Sequence, residues 1–140
     1  MYNWRKLAAH ELQAALEMFE KTNTFELDEY AMDKIWDVTL RVSDNNRIKR
    51  RLGAYYHHYN RIEIYPHMFR NNPLKFADTV RHEVAHHIAG IIYGAMEGHG
   101  QGWKHCCRLV GAVAETTACI KTWEHRLITT NRDFSEYLIA

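Results

Sequence analysis

Pro73 to Tyr93, PLKFADTVRHEVAHHIAGIIY, is the stretch from which the fold of this chain is read. Phe76, Val80, Val84, Ile88 and Ile92 recur every four residues, the spacing of one face of an α-helix. Asn71-Asn72-Pro73 lies just ahead, and an Asn cap followed by Pro at the first helical position satisfies or removes orphan amide donors. A helix is therefore expected from Pro73 to about Tyr93, forming the spine of the core. On it lies His82-Glu83-Val84-Ala85-His86. Histidines four apart are turned by only about 40 degrees around the axis, so both imidazoles reach one ion and supply half of a tetrahedral site. Glu83, about 100 degrees round from His82, is placed to reach a water beside the ion rather than the ion itself, which is the position of a general base. Five letters of this kind also arise by chance. Their place in mid-helix, with an apolar row burying another side, favours the metal reading.

A catalytic zinc needs a third protein ligand and one open position. The metzincin pattern fails, because Ala89 and Ile92 stand where it requires Gly and His. Glu97 and Glu115 have admissible spacing, as does His105 one turn into the last helix. His99, in Gly98-His99-Gly100, is the better candidate, since the glycines let the backbone fold back toward the spine. His87 points away from His86 and reads as a polar neighbour of the site. His10, His57, His58, His67 and His125 carry no spacing signal, and Cys106 and Cys107 read as small buried residues.

Outward from the spine, Leu7, Leu12, Ala15, Leu16 and Phe19 mark an amphipathic helix from about Asn3 to Glu20. Leu27 to Ile35 reads as a short second helix. The period then changes to two from Trp36 through Val42, as in a half-buried strand. Further extended segments are expected at Ile48 to His58 and Arg61 to Tyr65, together a small antiparallel meander closed by Pro66. Beyond the spine come the glycine-rich loop from Gly94 to Gly102 and a helix from about Trp103 that weakens near Gly111. Thr116 to Ala140 gives no firm assignment.

The chain has 140 residues, enough for one compact domain without staples. With 18 Lys plus Arg against 17 Asp plus Glu, its net charge of +1 excludes a partner held by bulk charge alone, so nucleic acid would have to meet a local patch. Arg47-Ile48-Lys49-Arg50-Arg51, beside Tyr55 and Tyr56, is the candidate patch: Arg47, Lys49, Arg50 and Arg51 for phosphates, the rings for stacking. Its competing reading is a solvated edge strand. Three cysteines and no C-x-x-C argue against a disulfide framework and for a reducing compartment. The N-terminus lacks a signal-peptide core, and Ile88 to Met96 is too short to span a membrane. The expected location is cytoplasmic, bacterial or, for a phage-encoded protein, in the host cytoplasm.

These residues resemble the SprT-like zinc metalloproteases, the SprT/Spartan-type protease core. Three blocks carry the likeness: Val38-Thr39-Leu40-Arg41-Val42-Ser43 leading to Arg51-Leu52-Gly53; Arg61-Ile62-Glu63-Ile64-Tyr65 through Met68-Phe69; and, most specific, His82-Glu83-x-x-His86 joined to His99-Gly100-x-x-Trp103-Lys104. The resemblance covers roughly Trp36 to Gly111. It implies His82, His86 and His99 as ligands of one Zn(2+) ion and Glu83 as the catalytic acid/base. It implies an α+β, zincin-like minimal metalloprotease core: N-terminal helix, small three-stranded sheet, long active-site helix bearing HExxH, Gly-rich loop and a further helix. One SprT-like domain over residues 1–140 is expected, with the motif-bearing core at about 36–111. Longer members carry a cysteine-rich zinc-binding segment after the core, which is not found through Ala140.

The expected function is zinc-dependent peptide-bond hydrolysis with Glu83 as general base, on DNA-associated or DNA-crosslinked proteins. By fold analogy, Ile62, Glu63 and Ile64 on an exposed sheet edge are expected to pair with the substrate peptide, and Tyr93 and His87 are candidate oxyanion donors. The competing function is a non-proteolytic zinc-binding adaptor module that contacts DNA or protein.

Overall fold

A computed structural model of the chain describes residues 1–114 and 132–139. It is α+β, with four helices and a small three-stranded sheet among the described residues. Helix α1 spans Trp4–Thr22; the Asn3 side chain accepts the Lys6 N–H at 3.1 Å and caps it. Its buried face is Leu7, Ala8, Glu11, Ala15, Leu16 and Phe19: four of the five residues expected from the spacing, with Ala8 and one acid added and Leu12 only half-buried. Helix α2, Glu29–Trp36, begins where Asp28 accepts the Ala31 N–H at 2.8 Å. Trp36 closes that helix instead of opening a strand, because the Asp37 N–H returns to the Asp33 carbonyl at 3.0 Å. The strand expected from Trp36 is thereby shortened to β1, Thr39–Val42.

Strands β2, Gly53–Tyr56, and β3, Arg61–Ile64, complete the sheet. The expected antiparallel meander is corrected: the order is β1-β3-β2, with β1 parallel to β3 and only β2 antiparallel to it. The reason lies in β3. Ile62 and Ile64 alternate onto one face and are fully buried, so this strand takes the centre, where a strand gains packing and loses both free edges. The second segment also contracts. Residues 43–52 form a loop, in which Asn45 Oδ1 accepts the Arg47 N–H and the Ile48 N–H closes on the Asn45 carbonyl. At Gly53 the approach of the sheet demands glycine, since a Cβ there would lie 2.8 Å from Ile64 Cδ1 and 3.0 Å from the Glu63 carbonyl.

Helix α3, Pro73–Tyr93, has the expected bounds, with Asn72 accepting the Lys75 N–H at 3.1 Å and Pro at its start. It packs against α1, α2, β2 and β3. It is also covered by α4, Gln101–Val110, which ends at the left-handed Gly111. Residues 132–139 return to α1: the Asn3 N–H meets the Tyr137 carbonyl at 2.6 Å, and His10 Nδ1 lies 2.9 Å from the Tyr137 hydroxyl. The rest of the stretch Thr116 to Ala140, for which no assignment was expected, lies outside the described residues. No helix among the described residues is long and apolar enough to cross a membrane.

A buried acid ties these elements together. Glu11, 1% exposed, accepts from Arg81 Nε at 2.7 Å and from Arg132, and Arg81 Nη1 also donates to the Val110 carbonyl at 2.6 Å. Removing one member of a buried pair strands the other charge. Glu11→Ala should therefore cost about 3 kcal/mol in urea unfolding, whereas the exposed Glu20→Ala should stay within about 0.5 kcal/mol. Equal effects would show that the Glu11 network adds nothing.

Candidate metal centre

Two turns of α3 and the loop after it build the centre. His82 and His86 project from one side of α3, and His99 comes over from the loop between α3 and α4. Each offers one ring nitrogen, and the three lie within 4.8 Å of one another. Ring centroids are 5.0 Å apart for His82 and His86, 4.8 Å for His86 and His99, and 5.6 Å for His82 and His99. Trp103, fully buried on the first turn of α4, packs against all three imidazoles. It is near-parallel to His86 at 5.2 Å and edge-on to His82 at 4.8 Å and His99 at 4.6 Å. His82 and His86 are half-buried and His99 is exposed. The cradle has a closed apolar floor and an open mouth.

Burial lowers the His82 pKa to about 4, with His99 adding to the effect, and the His86 pKa to about 3, with His82 and His99 adding. His99 is also lowered by burial. All three rings are therefore neutral at pH 7, with lone pairs free for a cation. None of the three, nor Glu83, has a hydrogen-bond partner among the described residues, in contrast to the other buried polar groups of α3. Three neutral imidazoles without protein partners, beside a cleft, are a donor set that fits one zinc ion with a coordination position left open.

Glu83 is 7% exposed and lines the same cavity, of about 510 Å³, but is not one of the three converging donors. Burial raises its pKa to about 8. The opposite wall is β2: Gly53, Ala54 and Tyr55 line the cavity, and β2 is an edge strand.

Several expectations are corrected by this geometry. Ile62, Glu63 and Ile64 lie on the central strand, paired on both sides through Leu40↔Ile62 and Tyr55↔Ile62 and their neighbours, so they have no free edge to offer a peptide. The edge strands are β1 and β2, and of these β2 lines the cavity. The sheet order hid this, and the one signal in the sequence was that Arg61-Ile62-Glu63-Ile64 is the strand best suited to burial on one face.

His87 is no oxyanion donor. It is fully buried, with Nε2 facing the Ile35 and Lys34 carbonyls at 2.9 and 3.2 Å and Nδ1 2.8 Å from the Tyr55 hydroxyl. Two carbonyls place its proton on Nε2, so Tyr55 donates to Nδ1. This bond fastens the β2 edge to α3. Tyr93 lies against Gly102 and edge-on to Phe25, away from the cavity lining.

Among the alternative ligands, His105 packs edge-on to Phe25 at 5.5 Å, and Glu97 accepts a backbone N–H. Glu115 lies outside the described residues. Cys106 and Cys107 are buried thiols with pKa pushed up by desolvation, Cys106 to about 12. Arg47, Lys49, Arg50 and Arg51 are exposed on the loop ahead of β2, and only Arg50 and Arg51 border the cavity. Tyr55 is turned inward to His87, and Tyr56 accepts from Arg51 at 3.3 Å.

In metal-free protein the Glu83 carboxyl keeps its proton up to about pH 8, whereas the unfolded one ionises near its ordinary 4.5. The folded state thus binds the extra proton between those values, and stability falls as pH rises through that window. Glu83→Gln removes the effect. In chelator, the variant's stability relative to the parent should rise between pH 5 and 8 by an amount on the order of a few kcal/mol, as read by urea unfolding. A pH-independent difference would remove the buried-acid account.

The chain has recognisable relatives. The SprT-like family model matches residues 15–125. Protein SprT of Vibrio parahaemolyticus serotype O3:K6 (strain RIMD 2210633) is 36% identical over 66 residues, which cover 46% of this chain and 40% of that protein. The aligned part of the chain thus spans well under half the length of that relative. No solved structure gives a significant match.

Proposed function

This chain belongs to the SprT-like family, and from that premise we propose that it is a zinc-dependent metalloendopeptidase with a zincin-like core. The observation that carries the reading is the convergence of His82, His86 and His99 beside a buried carboxyl, at a cleft walled by a free strand edge. When bound by those histidines, zinc supplies Lewis acidity, polarising a peptide carbonyl and acidifying water at about neutral pH.

The remaining steps belong to the chain's own residues. Glu83 gives up its proton once positive charge occupies the cradle, because an adjacent cation favours the carboxylate. As carboxylate it takes a proton from the attacking water, then delivers that proton to the departing amine nitrogen. The edge of β2 holds the peptide extended, its free amides and carbonyls pairing with those of the substrate. Tyr55, tied to His87, keeps that edge at a fixed distance from α3.

Arg50 and Arg51 at the cleft border, with Arg47 and Lys49 on the same loop, support DNA-associated or DNA-crosslinked proteins as substrates, through salt-dependent phosphate contacts. A zinc-binding adaptor would have no use for Glu83 beside its ligands.

Purified protein should carry one zinc per chain, and His82→Ala, His86→Ala or His99→Ala should each lose it. Glu83→Gln should retain the metal while cleavage of casein or a DNA-binding protein falls by about 10²-fold or more. The assays are run with and without single-stranded DNA. Parental cleavage rates in Glu83→Gln would defeat the mechanism. Absence of cleavage by the metal-loaded parent on all substrates would leave the adaptor.

A further inference from the structure

The loop that presents His99 has little packing of its own. Ala95, Met96, Gly98 and His99 are exposed, and Gly94 and Gly98 have φ of 103° and 55°. One side chain organises it. Glu97 Oε1 accepts the Gly102 N–H at 2.6 Å, and the Glu97 carbonyl accepts the Gly100 N–H at 2.9 Å. A Cβ on Gly100 would lie 2.5 Å from Glu97 Oε1, and one on Gly102 would lie 2.8 Å from it. The carboxylate therefore sits in a slot that glycine at both positions leaves open.

The Gly102 amide is one of the first-turn donors of α4 that the helix itself cannot satisfy, and negative charge is favoured at that end. The next residue is Trp103, whose indole packs on His82, His86 and His99. Glu97 thus bridges from one side of His99 to the helix whose first turn floors the metal cradle. Its place downstream of His86 made it a candidate ligand by spacing, but its carboxylate accepts from a backbone amide and is absent from the converging donors.

We propose that Glu97 is a positioning residue for the metal centre: by bonding across the loop to Gly102, it fixes His99 and the start of α4 relative to His82 and His86. The inference rests on the zinc site proposed above and deepens it. Its agent is the hydrogen bond of one carboxylate oxygen, which an amide oxygen reproduces.

The test measures zinc affinity by chelator competition and the visible spectrum of the cobalt-substituted protein. Glu97→Ala should weaken zinc by about 10–100-fold and move the cobalt spectrum toward that of His99→Ala. Glu97→Gln keeps the acceptor and should stay within about threefold of the parent, as loss of charge at a helix end has a small effect. Gly100→Ala, whose methyl would enter the carboxylate's slot, should behave like Glu97→Ala. Parent-like affinity and cobalt spectrum in Glu97→Ala would overturn the proposal. So would a Glu97→Gln as weak as Glu97→Ala, which would make Glu97 a ligand or a charge. Failure of the parent to bind zinc would sink the metalloendopeptidase reading itself, and this inference with it.

Discussion

The structure depends on a helix covered on nearly every side. At about 100 degrees per residue, the row Val80, Val84 and Ile88 faces one way, while His82 and His86 lie about 200 degrees round from Val80 and Val84 respectively. On a surface helix such positions would face water. Here α1, α2, the sheet and α4 all pack on α3, so its polar side chains are drawn inside and each needs a partner. Arg81 finds Glu11 and the Val110 carbonyl, His87 finds Tyr55 and the end of α2, and Thr79 donates to the Lys75 carbonyl. His82, His86 and Glu83 find no hydrogen-bond partner among the described residues, and all three line the cavity.

That division explains how much could be read from the sequence. The bounds of α3, the face of α1 and the Asn72-Pro73 start are local properties, written in spacing and cap chemistry within a few residues. The histidine cradle is nearly local: two of its histidines lie one helix turn apart, and the third stands in a glycine-rich loop just beyond. The sheet is different. Its strands have four residues each, and their order depends on which strand can bury a face on α3 while pairing on both sides. Nothing within Arg61 to Ile64 announces the parallel pairing with Thr39 to Val42 across an intervening strand. The misplacement of the sheet edge followed from that single non-local unknown, since assigning the edge to β3 turned its buried Ile62 and Ile64 into supposed contacts.

Trp36 gives the same lesson at smaller scale. Alternation from Trp36 to Val42 fits a strand, but Trp36 also lies on the last turn of α2, and the Asp37 amide closes that helix. Seven residues do not separate the two periods, and tertiary packing decides.

Electrostatics gives the centre its logic. Burial works in one direction on both kinds of group at the site, disfavouring charge: imidazoles are kept neutral and the carboxyl is kept protonated. A cleft of this kind stores no net charge of its own, and a divalent cation entering it meets three lone pairs and an acid ready to ionise. Among the described residues no protein partner offsets the cost of burying those groups, which suits them to a cation held by a cradle formed in advance. The supports stand outside the cradle. Trp103 fills its floor, the Tyr55–His87 bond fixes the β2 wall, and Glu97 closes the loop behind His99. Each is joined to α3 or α4 through buried or backbone contacts, so the open mouth of the cleft can remain free of interactions that would compete with a substrate.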